Sequence, residues 1–290
     1  MASKRSKVLK RTAVGGGLVV VLALMLRLAY QSSDGLVVWA AGALLAIGSV
    51  FEVARMRRVV PVAVVPALWG GLLLALAPGA LHYFAGGTVD TSGLYASFLS
   101  PRGILASYIG AAGAFLLLAL LLSRGRAKPT LCLGLSAWIF APLPALVLIW
   151  SQYGPNGLLA VILLSKIGDI FGYYVGNAIG KSHPFPRTSP GKTTAGCVAS
   201  LVAGTVAGGL CVGFGLLPGG WEGVLGGLAA GALVNVASQA GDLLESKLKR
   251  AAEVKDSGTW FGPSGGVLDL VDSLLVSVPV ALLSWPWLVG

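Results

Sequence analysis

The sequence predicts an all-α membrane protein, a polytopic bundle of about nine transmembrane helices with a cytoplasmic N-terminus. Three observations predict it. Of 290 residues, 56% are hydrophobic and only 11% are charged, and the mean hydropathy is +0.83. A soluble globule needs more polar surface than that. Apolar runs of the roughly 20 residues that span a bilayer as a self-satisfied helix recur along the chain. The basic residues are confined to alternate loops between those runs.

Taken in order, the apolar runs place helices near 13–30, 36–54, 59–77, 103–123, 130–150, 156–178, 194–217, 221–245 and 267–289. The first follows a basic start but is long for the apolar region of a signal peptide. It also lacks a small-x-small cleavage site, so it is read as a retained helix. Arg27, near its outer end, is placed to snorkel to the interface. The 42 glycines suit helices whose backbones approach closely in lipid. Cys132, Cys197 and Cys211 fall inside predicted spans and are read as small buried hydrophobes.

The charges orient the bundle. Lys4, Arg5, Lys7, Lys10 and Arg11 precede the first span, Arg55, Arg57 and Arg58 follow the second, and Arg124, Arg126 and Lys128 follow the fourth. Lys181, Arg187 and Lys192 follow the sixth, and Lys247, Lys249, Arg250 and Lys255 follow the eighth. The intervening loops, near Gln31–Gly35, Pro78–Arg102, Ser151–Gly157 and Pro218–Glu222, contain a single basic residue, Arg102. Basic loops stay inside. This distribution explains the net charge of +10 without nucleic acid, which would call for one basic patch interleaved with aromatics.

Acidic groups are expensive at membrane depth, so their positions are informative. Asp169 lies inside the sixth run, on one helical face with Tyr173 and Asn177; a structural Lys166–Asp169 pair is the plainer reading. The next loop, Gly180 to Thr193, is rich in turn formers and positive charge. Its Gly191-Lys192-Thr193 matches the end of a P-loop, but Pro186 occupies the first glycine position and the preceding element is a helix. Ser189, Lys192, Thr193 and the following helix N-terminus still suit phosphates.

Further on, Asp242, Ser246 and Lys249 share a helical face, with a Glu245–Lys249 pair as the plainer alternative. After Lys255 and Asp256, a Gly-rich turn leads to Asp269 and Asp272, which share a face at the mouth of the last span. Carboxylates converging from two helices are what a Mg²⁺-nucleotide site requires. No His/Cys cluster suggests zinc, and neither His82 nor His183 is placed as a ligand or base.

These residues resemble the bacterial phosphatidate cytidylyltransferase (CDP-diacylglycerol synthase) family. Its pattern runs S-x-x-K-R, then K-D, then P-G-H-G-G-x-x-D-R-x-D, and Ser246-Lys-Leu-Lys249-Arg250, Lys255-Asp256, Gly265-Gly266, Asp269 and Asp272 fall in the same order and spacing. Upstream, Gly241-Asp242-Leu-Leu-Glu245-Ser246 resembles its G-D-L-x-E-S, Ser189-Pro-Gly-Lys192-Thr193 its S-P-x-K-T, and Asp169 with Tyr173 its D-x-x-A-Y. The match spans residues 165–273. Ser264, Leu270 and Ala195 stand where the pattern has His, Arg and Glu.

The resemblance implies transfer of CMP from CTP to phosphatidic acid, giving CDP-diacylglycerol and pyrophosphate in phospholipid biosynthesis. It implies Asp242, Ser246, Lys249 and Asp269 as catalytic residues, and Asp242, Asp269, Asp272 and Asp169 as ligands of Mg²⁺, with a second cation allowed for. Ser189, Lys192, Thr193, Lys249, Arg250, Lys255 and Tyr173 would contact the substrates. It further implies a multi-pass protein of the bacterial inner membrane with a cytoplasmic site, and, by family analogy, a homodimer. The expected organisation is N-terminal membrane helices over 1–128 and a catalytic region over 129–290 with cytoplasmic loops 179–193 and 246–266. The alternatives are a CTP-dependent lipid kinase of the polyprenol or dolichol type and a catalytically lapsed membrane paralogue.

Overall fold

A run of apolar residues in lipid has one open route to satisfying its backbone, the helix, and helices make up most of the computed structural model, which describes residues 4–31, 35–85, 101–124 and 128–289. Helix α1 covers Lys4–Gln31, α2 Leu36–Arg55, α3 Val65–Ala85, α4 Pro101–Leu122, α5 Pro129–Phe140 and α6 Pro142–Ile179. Then come α7 Thr194–Gly213, α8 Val224–Ala251, the short α9 Val267–Val271 and α10 Leu274–Leu288. No strand occurs among the described residues.

Five segments are long and apolar enough to cross a membrane: Leu36–Arg55, Pro129–Ile179, Thr194–Gly213, Val224–Ala251 and Val267–Leu288. Shorter apolar helices cover Val20–Gln31, Val62–Ala77 and Ile109–Leu122. The Pro129–Ile179 segment has 51 residues, about 77 Å if straight, far more than one crossing of a roughly 30 Å core. It is broken twice. Pro142 starts α6 afresh, and inside α6 Gly154 adopts φ 63, ψ −163 just before Pro155, where the sequence places an outer loop. The other expected loops at 32–34, 86–100 and 125–127 lie outside the described residues.

Two apolar cores result. One gathers α2 to α5 around Phe115, Phe140, Leu68 and Leu72, with Leu268, Val271 and Leu275 from the C-terminal end packed into it. The other gathers α6, α7, α8 and α10 around Ile149, Leu164, Val234 and Trp285. In lipid, helices associate through close packing and interhelical hydrogen bonds rather than through hydrophobicity, and both devices are present here. At the α7–α8 crossing a Cβ on Gly231 would stand 2.3 Å from the Gly204 carbonyl oxygen. Ser165 Oγ lies 2.7 Å from Ser277 Oγ, Ser238 donates to the Ser165 carbonyl at 3.1 Å, and Gln239 donates to the Cys197 carbonyl of α7 at 3.3 Å.

Candidate active site

The polar residues of α6, α8 and the α9–α10 junction meet at one end of the second core. Helix α8 continues three turns beyond its last apolar stretch, to Ala251, so that Asp242, Glu245, Ser246 and Lys249 are carried on one rigid element. Gly241 brings this helix onto the α9–α10 junction, since a Cβ there would lie 2.4 Å from the Asp272 carbonyl oxygen. As a result, carboxylate oxygens of Asp242, Glu245 and Asp272 fall within 4.8 Å of one another. Asp272 is also an electrostatic neighbour of Lys166 and Asp169.

Three ammonium groups are threaded between the carboxylates. Lys192, from the loop before α7, stands 2.7 Å from Asp242 Oδ2. Lys249 bridges Glu245 Oε2 at 2.5 Å and Asp269 Oδ1 at 2.6 Å. Lys166 donates to the Leu270 carbonyl at 3.2 Å and to Ser273 Oγ at 2.8 Å, and lies 3.8 Å from Asp169. Its ammonium therefore sits against residue 270, where Leu270 itself turns into the apolar core.

Glu245 is fully buried and its Oε1 has no hydrogen-bond partner among the described residues. A buried carboxylate oxygen left unmatched is costly. With all groups ionised, Asp169, Asp242, Glu245, Asp269 and Asp272 outnumber the three lysines, and an all-oxygen donor set of this kind fits a hard divalent cation.

The expected site residues separate into groups. Asp242 and Asp272 join Glu245 in the cluster, with Asp169 and Lys166 at its edge. Asp269 is otherwise engaged: its Oδ2 accepts from the Gly266 N–H at 2.7 Å, the Ser257 N–H at 2.8 Å and Ser257 Oγ at 2.7 Å, while Oδ1 accepts from Lys249. Thr193 is buried as the N-cap of α7, its hydroxyl accepting from the Gly196 N–H at 3.1 Å. Ser189 closes a turn whose carbonyl accepts from the Lys192 N–H at 3.1 Å, which aims Lys192 at α8.

Ser246 is buried, Arg250 and Lys255 are exposed, and Tyr173 is exposed with its ring edge-on to Tyr174. Ser264 ends the 3₁₀ turn Gly262–Ser264 of the glycine-rich loop. Two carboxylates were not anticipated in these places. Glu245 was expected only as a helix-surface partner of Lys249, and Glu52 of α2 was passed over inside an apolar run, although an acid at membrane depth is itself a signal.

A family comparison places the chain as a whole: the model of the cytidylyltransferase family matches residues 9–285. The chain belongs to the cytidylyltransferase family. Members similar to it include three proteins named phosphatidate cytidylyltransferase. The one from Helicobacter pylori is 39% identical over 137 residues, 47% of this chain and 46% of that protein. The Brucella abortus protein is 36% identical over 132 residues, 44% and 47% of the two chains, and that of Aquifex aeolicus is 33% identical over 141 residues, 47% and 51%. The chain thus spans about half the length of the curated relatives it matches.

Proposed function

We propose that this chain is a phosphatidate cytidylyltransferase, transferring CMP from CTP to phosphatidic acid in phospholipid biosynthesis. The observation that carries the reading is the meeting of Asp242, Glu245 and Asp272 within 4.8 Å, ringed by Lys166, Lys192 and Lys249 in a member of the cytidylyltransferase family. The relatives' printed name, phosphatidate cytidylyltransferase, supports the choice of substrates.

An oxygen of the phosphatidate phosphate attacks the α-phosphorus of CTP. A new P–O–P linkage forms, the bond between the α-phosphorus and its bridging oxygen to the β-phosphorus breaks, and pyrophosphate leaves with that electron pair. The nucleophile is already anionic, so positioning and charge neutralisation do most of the catalysis and no general base is required. Asp242, Glu245 and Asp272, with Asp169 beside them, would hold Mg²⁺, which supplies charge neutralisation on the triphosphate when bound. Asp269 would join that set only by releasing Lys249. Lys192 and Lys249 border the cluster, while Arg250 and Lys255 stand exposed beyond it to meet phosphates, with Ser189 and Tyr173 on the substrate approach; Thr193 and Ser246, both buried, would act by holding the start of α7 and the end of α8 in place.

About nine spans with the N-terminus inside put this end of the bundle at the cytoplasmic face of the bacterial inner membrane, where CTP is available. A homodimer is part of the same reading, by family analogy.

The test supplies full-length protein in liposomes with CTP labelled on its base and with phosphatidic acid, diacylglycerol or polyprenol in parallel. Label should enter lipid only with phosphatidic acid, and pyrophosphate should appear in equal amount. Release of CDP with unlabelled phospho-lipid would identify a CTP-dependent lipid kinase instead. No turnover with any acceptor would identify a lapsed paralogue, as the departures at Ala195, Ser264 and Leu270 allow.

A further inference from the structure

Glu52 belongs to α2, in the half of the chain whose expected role is membrane packing, yet its carboxylate reaches across to the loop and helix that carry the last two aspartates. It is 1% exposed. Oε1 accepts from the Val267 N–H at 2.8 Å, and Oε2 accepts from the Leu268 N–H at 2.8 Å and faces Ser257 Oγ at 2.7 Å. Val267 and Leu268 are the first two residues of α9, whose N–H groups have no partner within the helix.

The surroundings are shaped to admit this side chain. A Cβ on Gly258 would stand 2.4 Å, and one on Gly266 2.1 Å, from Glu52 Oε1. The neighbouring turn of α2 leaves room in the same way, since a Cβ on Gly48 would lie 2.7 Å from Val267.

Ser257 Oγ lies 2.7 Å from both Glu52 Oε2 and Asp269 Oδ2. A hydroxyl has a single proton to donate, so each carboxylate is secured chiefly by its own backbone donors: Val267 and Leu268 for Glu52, Gly266 and Ser257 for Asp269. Together the two acids grip every N–H from Gly266 to Leu268. Helix α9 runs on through Asp272 and Ser273, both in helical conformation, into α10, and the Asp272 N–H donates to the Leu268 carbonyl at 2.9 Å. The grip on its first turn therefore sets where this segment begins, one turn before Asp272.

We propose that Glu52 is a positioning residue for the reaction, orienting α9 so that Asp272 meets Asp242 and Glu245. The N-terminal helices thereby contribute to the site and do more than pack in the bilayer. The inference rests on the proposed reading of the acidic cluster as the metal-bearing reaction centre.

The experiment compares Glu52→Gln, Glu52→Asp and Glu52→Ala with the wild type as full-length protein, scoring CMP transfer per folded molecule, the KM for CTP, Mn²⁺ binding by electron paramagnetic resonance and thermal unfolding. A Gln oxygen can still accept from the backbone, whereas an Asp is one methylene short. The expected order of kcat is Glu, Gln, Asp, Ala, with Asp lowered about tenfold, KM for CTP moved less than about threefold, and Mn²⁺ affinity falling in parallel with kcat. Folded Gln and Asp variants with wild-type kcat and Mn²⁺ affinity would overturn the proposal, and so would failure of all three variants to fold, which marks a structural anchor only. If the wild type makes no CDP-diacylglycerol, the reaction assigned above fails, and the Mn²⁺ series still decides whether Glu52 orders the cluster. A wild type that also binds no Mn²⁺ would end both readings.

Discussion

Lys192 Nζ lies 2.7 Å from Asp242 Oδ2, tying the basic loop before α7 to the acidic end of α8. Both groups are partly exposed, with side-chain exposures of 20% and 29%, so the pair itself is worth little in stability. Its value is in placing a cation beside the cluster. Asp242→Asn should lower kcat/KM for CMP transfer by at least about a hundredfold, roughly 2.7 kcal/mol of transition-state stabilisation. Lys192→Met should act more weakly, mainly through KM for CTP. Near-wild-type kinetics for the Asp242 variant in liposomes would remove it from the site.

The buried Glu245–Lys249–Asp269 bridge behaves differently, because breaking it strands a charge. Lys249 is 11% exposed and Glu245 not at all, so Lys249→Met should cost on the order of 3–5 kcal/mol of stability. Replacing both Lys249 and Glu245 with Met should recover most of that loss and none of the activity. Thermal unfolding in detergent compares the single and double variants, and additive losses would contradict the bridge.

Chelation should separate fold from chemistry. If Asp242, Glu245 and Asp272 hold a divalent cation, EDTA should abolish CMP transfer while leaving the helical circular dichroism signal intact. Mg²⁺ or Mn²⁺, both of which favour oxygen donors, should restore turnover. Full activity in EDTA would rule out the metal.

Gly241 brings α8 against the Asp272 carbonyl, where a Cβ would stand 2.4 Å away. Gly241→Ala should therefore force the two backbones apart, lowering the unfolding temperature by several degrees and weakening Mn²⁺ binding. An unchanged unfolding temperature together with unchanged Mn²⁺ affinity would show that the approach is looser than described.

Lys166 supplies a cation at the carbonyl of Leu270, the position at which the family pattern has arginine. Lys166→Met should reduce turnover about tenfold, on the scale of losing one charge-assisted hydrogen bond. Adding Leu270→Arg to that variant should recover part of the loss. A double variant no better than the single would show that the lysine does not stand in for the arginine.

Much of this site is legible in the order of residues. Asp242, Ser246 and Lys249 fall on one face because helical geometry puts them there, and α8 indeed carries all three. Asp269 shows where that reading stops. Its spacing from Asp272 places both on one face, yet Asp269 spends its oxygens on Ser257, Gly266 and Lys249, while Asp272 faces the cluster. Which oxygen a donor claims depends on the path of the glycine-rich loop, and spacing along one helix carries no information about that path.

The sequence by itself determined that the chain is helical and belongs in lipid, since an apolar segment in a bilayer has no other way to satisfy its backbone. It also singled out Asp169, Asp242, Asp269 and Asp272, because acids at membrane depth are too costly to be placed without a use. Only the tertiary structure decided which carboxylates converge. Glu245 and Asp272 reach Asp242 because Gly241 lets two helices touch. Glu52 comes to the site from more than 200 residues away in sequence, because the buried N–H groups opening α9 require an acceptor that no nearby residue supplies.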